Sequence, residues 1–222
     1  MCFSVTASFT TAILLVPAGV YCMKKAVRLP KSYWLVGALP LLFGVQQAFE
    51  GGVWITINSN NADAIRMAAL GFMFFSHFFW LFWIPMTGYA IENHAIRKKL
   101  FFGFAIFGGL YGASMYFPLF IYEDWLTVAL LKHSISYEAM LIYDGYIPRI
   151  VVRGIYALVV SVPLLLSSDH YLRIFGVIIA TSVVLATVFY GYAFISIWCY
   201  FAAVLSLYII YMMGRIDSSN TD

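Results

Sequence analysis

Apolar stretches long enough to cross a bilayer recur from one end of this 222-residue chain to the other. A spanning helix needs about 20 such residues, and it satisfies every backbone polar group within itself. Here 63% of residues are hydrophobic and 10% are charged, whereas soluble domains carry about 25% charge. These runs predict an all-α integral membrane protein, and no segment between them is long enough to form a soluble domain.

Seven spans are expected: Ser4–Met23, Tyr33–Ile57, Met67–Ile91, Leu100–Tyr122, Arg149–Leu166, Leu172–Phe189, and a last one that follows Tyr190-Gly-Tyr192 and ends near Met213. Residues 1–214 then make a single seven-helix bundle, and 215–222 a loose polar tail. No Lys or Arg precedes the first run, so it is expected to stay as a membrane helix rather than act as a cleaved leader. The one long connection, 123–148, is rich in aromatic residues and is expected to form an ordered lid. Its Ser134-Ile-Ser-Tyr137 alternates as a short strand does. Gly108-x-x-x-Gly112 in the fourth span is a common close-packing signature.

Charge sets the orientation. Lys24, Lys25, Arg28, Lys31, Arg97, Lys98, Lys99, Arg173 and Arg215 fall on one set of connections; Arg66, Lys132, Arg149 and Arg153 fall on the other. The bias of Lys and Arg toward the cytoplasm places the N-terminus outside, the C-terminus inside and the lid outside. A bacterial inner membrane is the expected location, with the bilayer as the constant partner. The net charge of +3 comes without the basic tract that nucleic-acid binding requires. Three cysteines, Cys2, Cys22 and Cys199, have no pairing or metal-knuckle spacing.

The polar content of the second span points to a site. On a helix, Gln46, Gln47, Glu50 and Trp54 share one side, and the small residues Gly44, Ala48 and Gly52 share the other. A carboxylate at the centre of a spanning helix costs about 3 kcal/mol against lipid, so it faces protein or water. The helix is therefore expected to be enclosed on both sides. Glu50 lies roughly 10 Å and His77 roughly 15 Å below the outer surface, counting about 1.5 Å per residue. Arg153, Tyr192 and Ser196 open their spans from the same side, with Cys2 at the mouth.

The expected site is a ligand- or metal-binding pocket under the lid. Glu50 and His77 form its catalytic centre, and Gln46, Gln47, Arg153, Tyr192 and Ser196 line it. In its metal form, His77 and Glu50 with His133 or Cys2 hold zinc or another divalent ion, which would activate water for hydrolysis or hydration. Two alternatives stand beside it. One is a proton-coupled transporter or sensor using Glu50, His77 and Arg153, since buried acids and imidazoles can be tuned toward neutrality. The other is a structural protein in which Glu50 and Arg153 merely pair to fix packing. A retinal Schiff base would need a Lys in the last three spans, and bis-His haem a second buried His; the sequence offers neither.

Three stretches carry a resemblance: Met1-Cys-Phe-Ser-x-x-Ala-Ser-Phe9, Leu39-Pro-Leu-Leu-Phe-Gly-Val-Gln-Gln-Ala-Phe-Glu50 with Val53-Trp54, and Phe79-Trp-Leu-Phe-Trp-Ile-Pro85. They are similar to an uncharacterised bacterial family of small multi-pass membrane proteins. The resemblance implies an integral membrane fold of this size. It also implies a role for Cys2, as an anchor, a thiol ligand or an N-terminal nucleophile.

Overall fold

A computed structural model describes residues 4–57, 59, 61–131, 134–189 and 194–219. It is a helical bundle with one small hairpin. Helix α1 (Val5–Ala26) starts at Ser4, whose Oγ accepts from the Ala7 N–H. A short 3₁₀ turn (Lys31–Tyr33) and α2 (Trp34–Gly37) lead into α3 (Leu39–Ile57). Helix α3 packs along α1, where Gly19 lies so close that an added Cβ would come within 2.3 Å of the Leu41 nitrogen. Helix α4 (Ala62–Met73) passes through a π-helical turn (Phe74–Phe79) into α5 (Trp80–Ile91), and α6 (Ala95–Ile121) follows. Strands β1 (Leu126–Leu131) and β2 (Ser134–Ala139) pair antiparallel, Leu126 opposite Ala139. Helices α7 (Arg149–Leu165), α8 (His170–Phe189), α9 (Phe194–Leu205) and α10 (Tyr208–Ser219) complete the chain.

Among the described residues, five helical stretches are long and apolar enough to cross a membrane: Val5–Ala26, Ala62–Ile91, Ala95–Ile121, His170–Phe189 and Ile197–Asp217. The expected second and fifth spans differ for identifiable reasons. The second is split around Ala38, and its α3 portion is diluted by two glutamines and a glutamate. The fifth, α7, has only 17 residues. The C-terminal helix does not stop near Met213: it continues to Ser219, where Lys25 pairs with Asp217 and the Arg215 guanidinium sits over the Tyr211 ring.

The interior is largely apolar, yet so is much of the surface, and several polar groups are buried deep. Ile13, Leu110 and Leu158 stand 60% or more exposed, while Gln46, Gln47, Glu50 and Thr87 are fully buried. Exposed apolar side chains and inward-turned polar ones are what lipid as solvent demands. Helix α3 is not enclosed all round. Its polar stripe is buried, but Val45, Ala48, Phe49 and Ile55 form an exposed apolar strip. Gly44 packs on α1, whereas Ala48 lies on the open face.

One end of the bundle is tied by polar contacts between distant turns. The buried Glu92 carboxylate accepts from the backbone N–H groups of Asn93, His94 and Ser168 and from the Ser168 hydroxyl. Tyr33 donates to Asp169, which also accepts from the Leu172 N–H at the start of α8. The hairpin covers the opposite end, where Arg66 donates to the Leu119 and Phe120 carbonyls at the end of α6.

Candidate functional site beneath the hairpin

The run Phe74-Phe-Ser-His-Phe-Phe79 is wound as a π-helix. Such turns are rare and are found often at functional sites. Its neighbour α6 explains how the widened turn fits. At Gly112 an added Cβ would lie 2.8 Å from the Phe78 Cα and 2.9 Å from the His77 carbonyl oxygen, and at Gly108 2.1 Å from the Leu81 carbonyl. Gly112 is thus the bed on which this turn lies, and Gly108 seats the start of α5 just beyond it. His77 is buried, and its Nδ1 shares a 3.1 Å hydrogen bond with the Ser76 hydroxyl.

Across from His77, α7 opens directly after Pro148 with Arg149, followed one turn later by Arg153. The preceding loop fixes Arg149. Its Nη2 donates to the Ala139 carbonyl at 2.7 Å and pairs with Asp144. Asp144 also accepts from the Leu141 N–H. Gly145 takes a φ of +86°, the left-handed region in which a residue without a side chain is favoured. Tyr143 in the same loop bonds Ser114 of α6, and Tyr111 donates to the Val152 carbonyl.

These elements enclose a cavity of about 110 Å³. Ser76 and His77 line one wall, Arg149 and Arg153 another, and Tyr137 of β2 the roof. Trp198 and Cys199 of α9 close it, with Met115 from α6. A water occupies about 30 Å³ in the liquid, so the space suits a few waters or a small ligand. Past Tyr137, Arg149 and Arg153, the cavity meets an open mouth of about 490 Å³ that also holds Asp124 and Glu138.

The expected site residues divide into three groups. His77 and Arg153 line the cavity. Gln46, Gln47 and Glu50 are fully buried on α3 and are not among its described lining; they form an adjoining polar patch. The link is Cys199, whose thiol lies in electrostatic reach of Glu50 and in hydrogen-bond reach of Gln46. Gln46 Oε1 in turn accepts from Trp80 Nε1 at 2.8 Å. The Gln47 amide and the Ser8 hydroxyl have no hydrogen-bond partner among the described residues. Cys2, His133 and Tyr192 lie outside the described residues; Ser196 is in the first turn of α9, but its side chain is outside them. Among the described residues, no three His, Cys, Asp or Glu side chains gather as a metal-binding group.

Several lining residues carried no site signal in the sequence. Arg149 reads as an anchor to lipid headgroups and Cys199 as an apolar filler, yet both face the cavity. The four-residue spacing of Arg149 and Arg153 was the available clue, since it puts both on one helix face.

Fold and site together define a largely helical membrane-type protein with a polar cavity under a β-hairpin. The chain belongs to a family of unknown function (DUF6629), whose model matches residues 1–222. No curated protein and no solved structure matches it.

Proposed function

We propose that the protein is a membrane-embedded binding protein for a small ligand, held under the hairpin by His77 and Arg153. The observation that carries this is the 110 Å³ cavity in which a buried imidazole faces two guanidiniums beneath an ordered roof. The π-helical winding at His77 adds to it. In this reading the chain crosses a bacterial inner membrane seven times, N-terminus and hairpin outside, C-terminus in the cytoplasm. Supporting it are the distribution of Lys and Arg and the gathering of Lys25, Tyr33, Glu92, Asp169 and Asp217 into contacts with one another's turns.

In a catalytic form, His77 exchanges protons with the bound molecule, and Glu50 acts from the adjoining patch behind Cys199. A metal-assisted hydrolysis or hydration would need Cys2 or His133 as a further ligand beside His77 and Glu50. The second reading is proton-coupled transport or sensing. It is favoured by the polar groups continuing past Cys199 to Gln46, Gln47 and Glu50. If Glu50 serves only packing, Glu50→Gln unfolds the protein while His77→Ala is silent.

The test is native mass spectrometry of the full chain in lipid nanodiscs, beside an experimental density map. A small molecule retained by the wild type and lost from His77→Ala, with density between His77 and Arg153, supports the reading. A cavity filled by the protein's own side chains, with no retained mass, refutes it. Labelling of Thr127→Cys in whole cells by an impermeant thiol reagent checks the sidedness; protection of that position overturns the outward hairpin.

A further inference from the structure

The walls of the cavity differ in sign from its entrance. The described lining of the inner space holds Arg149 and Arg153 and no carboxylate, whereas Asp124 and Glu138 both stay at the mouth. Asp144, the partner of Arg149, holds that guanidinium from the loop side and lines neither space. The two guanidiniums lie within electrostatic reach of one another, and Arg149 within reach of His77. Arg149 is half exposed and Arg153 partly buried; like charges held side by side at such a partly shielded site repel, and an anion between them turns that repulsion into attraction. Guanidinium forks match the geometry of carboxylate and phosphate oxygens. Besides Ser76, Tyr137 and Cys199, the remaining lining is apolar or aromatic: Met115, Leu141, Val152, Tyr156 and Trp198.

Resting on the small-ligand reading above, we infer that the cavity takes a small oxyanion, a phosphate or carboxylate group gripped by Arg149 and Arg153 beside His77. The space of about 110 Å³ admits the oxyanion head and a few further atoms. Two sources can present this chemistry. A free anion enters through the mouth past Asp124 and Glu138, and an anionic lipid brings it as a headgroup, alongside the exposed Ile150 and Val151 of α7.

The test uses the full chain in phosphatidylcholine nanodiscs, with thermal midpoint and direct binding followed at constant ionic strength. Inorganic phosphate and acetate are titrated against chloride, and a parallel set of nanodiscs carries phosphatidylglycerol. Saturable stabilisation by phosphate or acetate marks a free anion; stabilisation by phosphatidylglycerol alone marks a headgroup. In either case Arg153→Gln weakens the response about tenfold or more, as expected when a charge-assisted hydrogen bond is lost. Arg153→Lys keeps the charge without the fork and falls between. It also serves if Arg153→Gln does not fold. The inference is overturned if neither anion nor phosphatidylglycerol acts beyond chloride and phosphatidylcholine, or if Arg153→Gln or Arg153→Lys responds fully as the wild type does. Should the density map still hold a molecule in that event, the cavity is a site for an uncharged or cationic ligand, and the oxyanion class alone falls.

Discussion

Gln47 is the residue most out of keeping with its surroundings. It is fully buried in α3, and neither atom of its amide has a hydrogen-bond partner among the described residues. Leaving a buried polar group unsatisfied costs about 1–3 kcal/mol. Sequences break such local rules chiefly where function requires it. Gln47→Leu is therefore expected to raise stability by about 1–3 kcal/mol, read as a higher midpoint in detergent. A lower midpoint would mean that the amide supports the fold through bound water instead. At this scale the sequence was informative in part. The clash of Gln46, Gln47 and Glu50 with an apolar run marked α3, and the structure buries all three side chains. It did not reveal that Cys199 stands between them and His77, because a lone cysteine in an apolar helix looks like any small filler.

Among the elements, the π-helical turn and its glycine bed are the most consequential. Each reads as ordinary in the sequence: Phe74–Phe79 as helical and apolar, Gly108-x-x-x-Gly112 as one of many close-packing pairs. Neither periodicity nor composition signals a shift to wider winding, so the turn was not legible. Gly112→Ala would drive a methyl group against the His77 carbonyl and the Phe78 Cα. Overpacking of this kind costs about 1–3 kcal/mol, and here it also displaces the imidazole. Reduced stability together with lost ligand retention is expected. Gly103→Ala on the same helix meets nothing within 4 Å, and is expected to be neutral or stabilising by up to about 1 kcal/mol. Equal effects of the two substitutions in a thermal-shift series would contradict this account of the bed. The hairpin was half legible. Alternation at Ser134–Tyr137 announced β2, whereas β1, Leu-Thr-Val-Ala-Leu-Leu, reads as an apolar run without alternation.

Across the whole molecule, the sequence conveyed the class of fold well and the individual crossings less well. Apolar length is a strong signal in lipid, but α3 is diluted by the polar groups that make it interesting, and α7 is short. At the end of the bundle away from the hairpin, the turns are joined through Glu92. Burial works to raise its carboxyl, but hydrogen bonds from His94, Ser168 and Asn93 outweigh that and hold it below the ordinary value of 4.5. A carboxyl depressed on folding contributes stability that is present above its unfolded pKa and is lost as pH falls through the folded one. The wild type should therefore lose thermal stability on acidification below about pH 4. Glu92→Gln should start about 2 kcal/mol lower at neutral pH, with charge-assisted hydrogen bonds weakened, and should depend less on acid. Parallel acid profiles of the two proteins would rule out this role. At the other end, Asp144 grips Arg149 and pins the Leu141 backbone with one carboxyl group. Roof and cavity wall hence share this fastening, and an occupant that drew the guanidinium inward would tug the hairpin down after it.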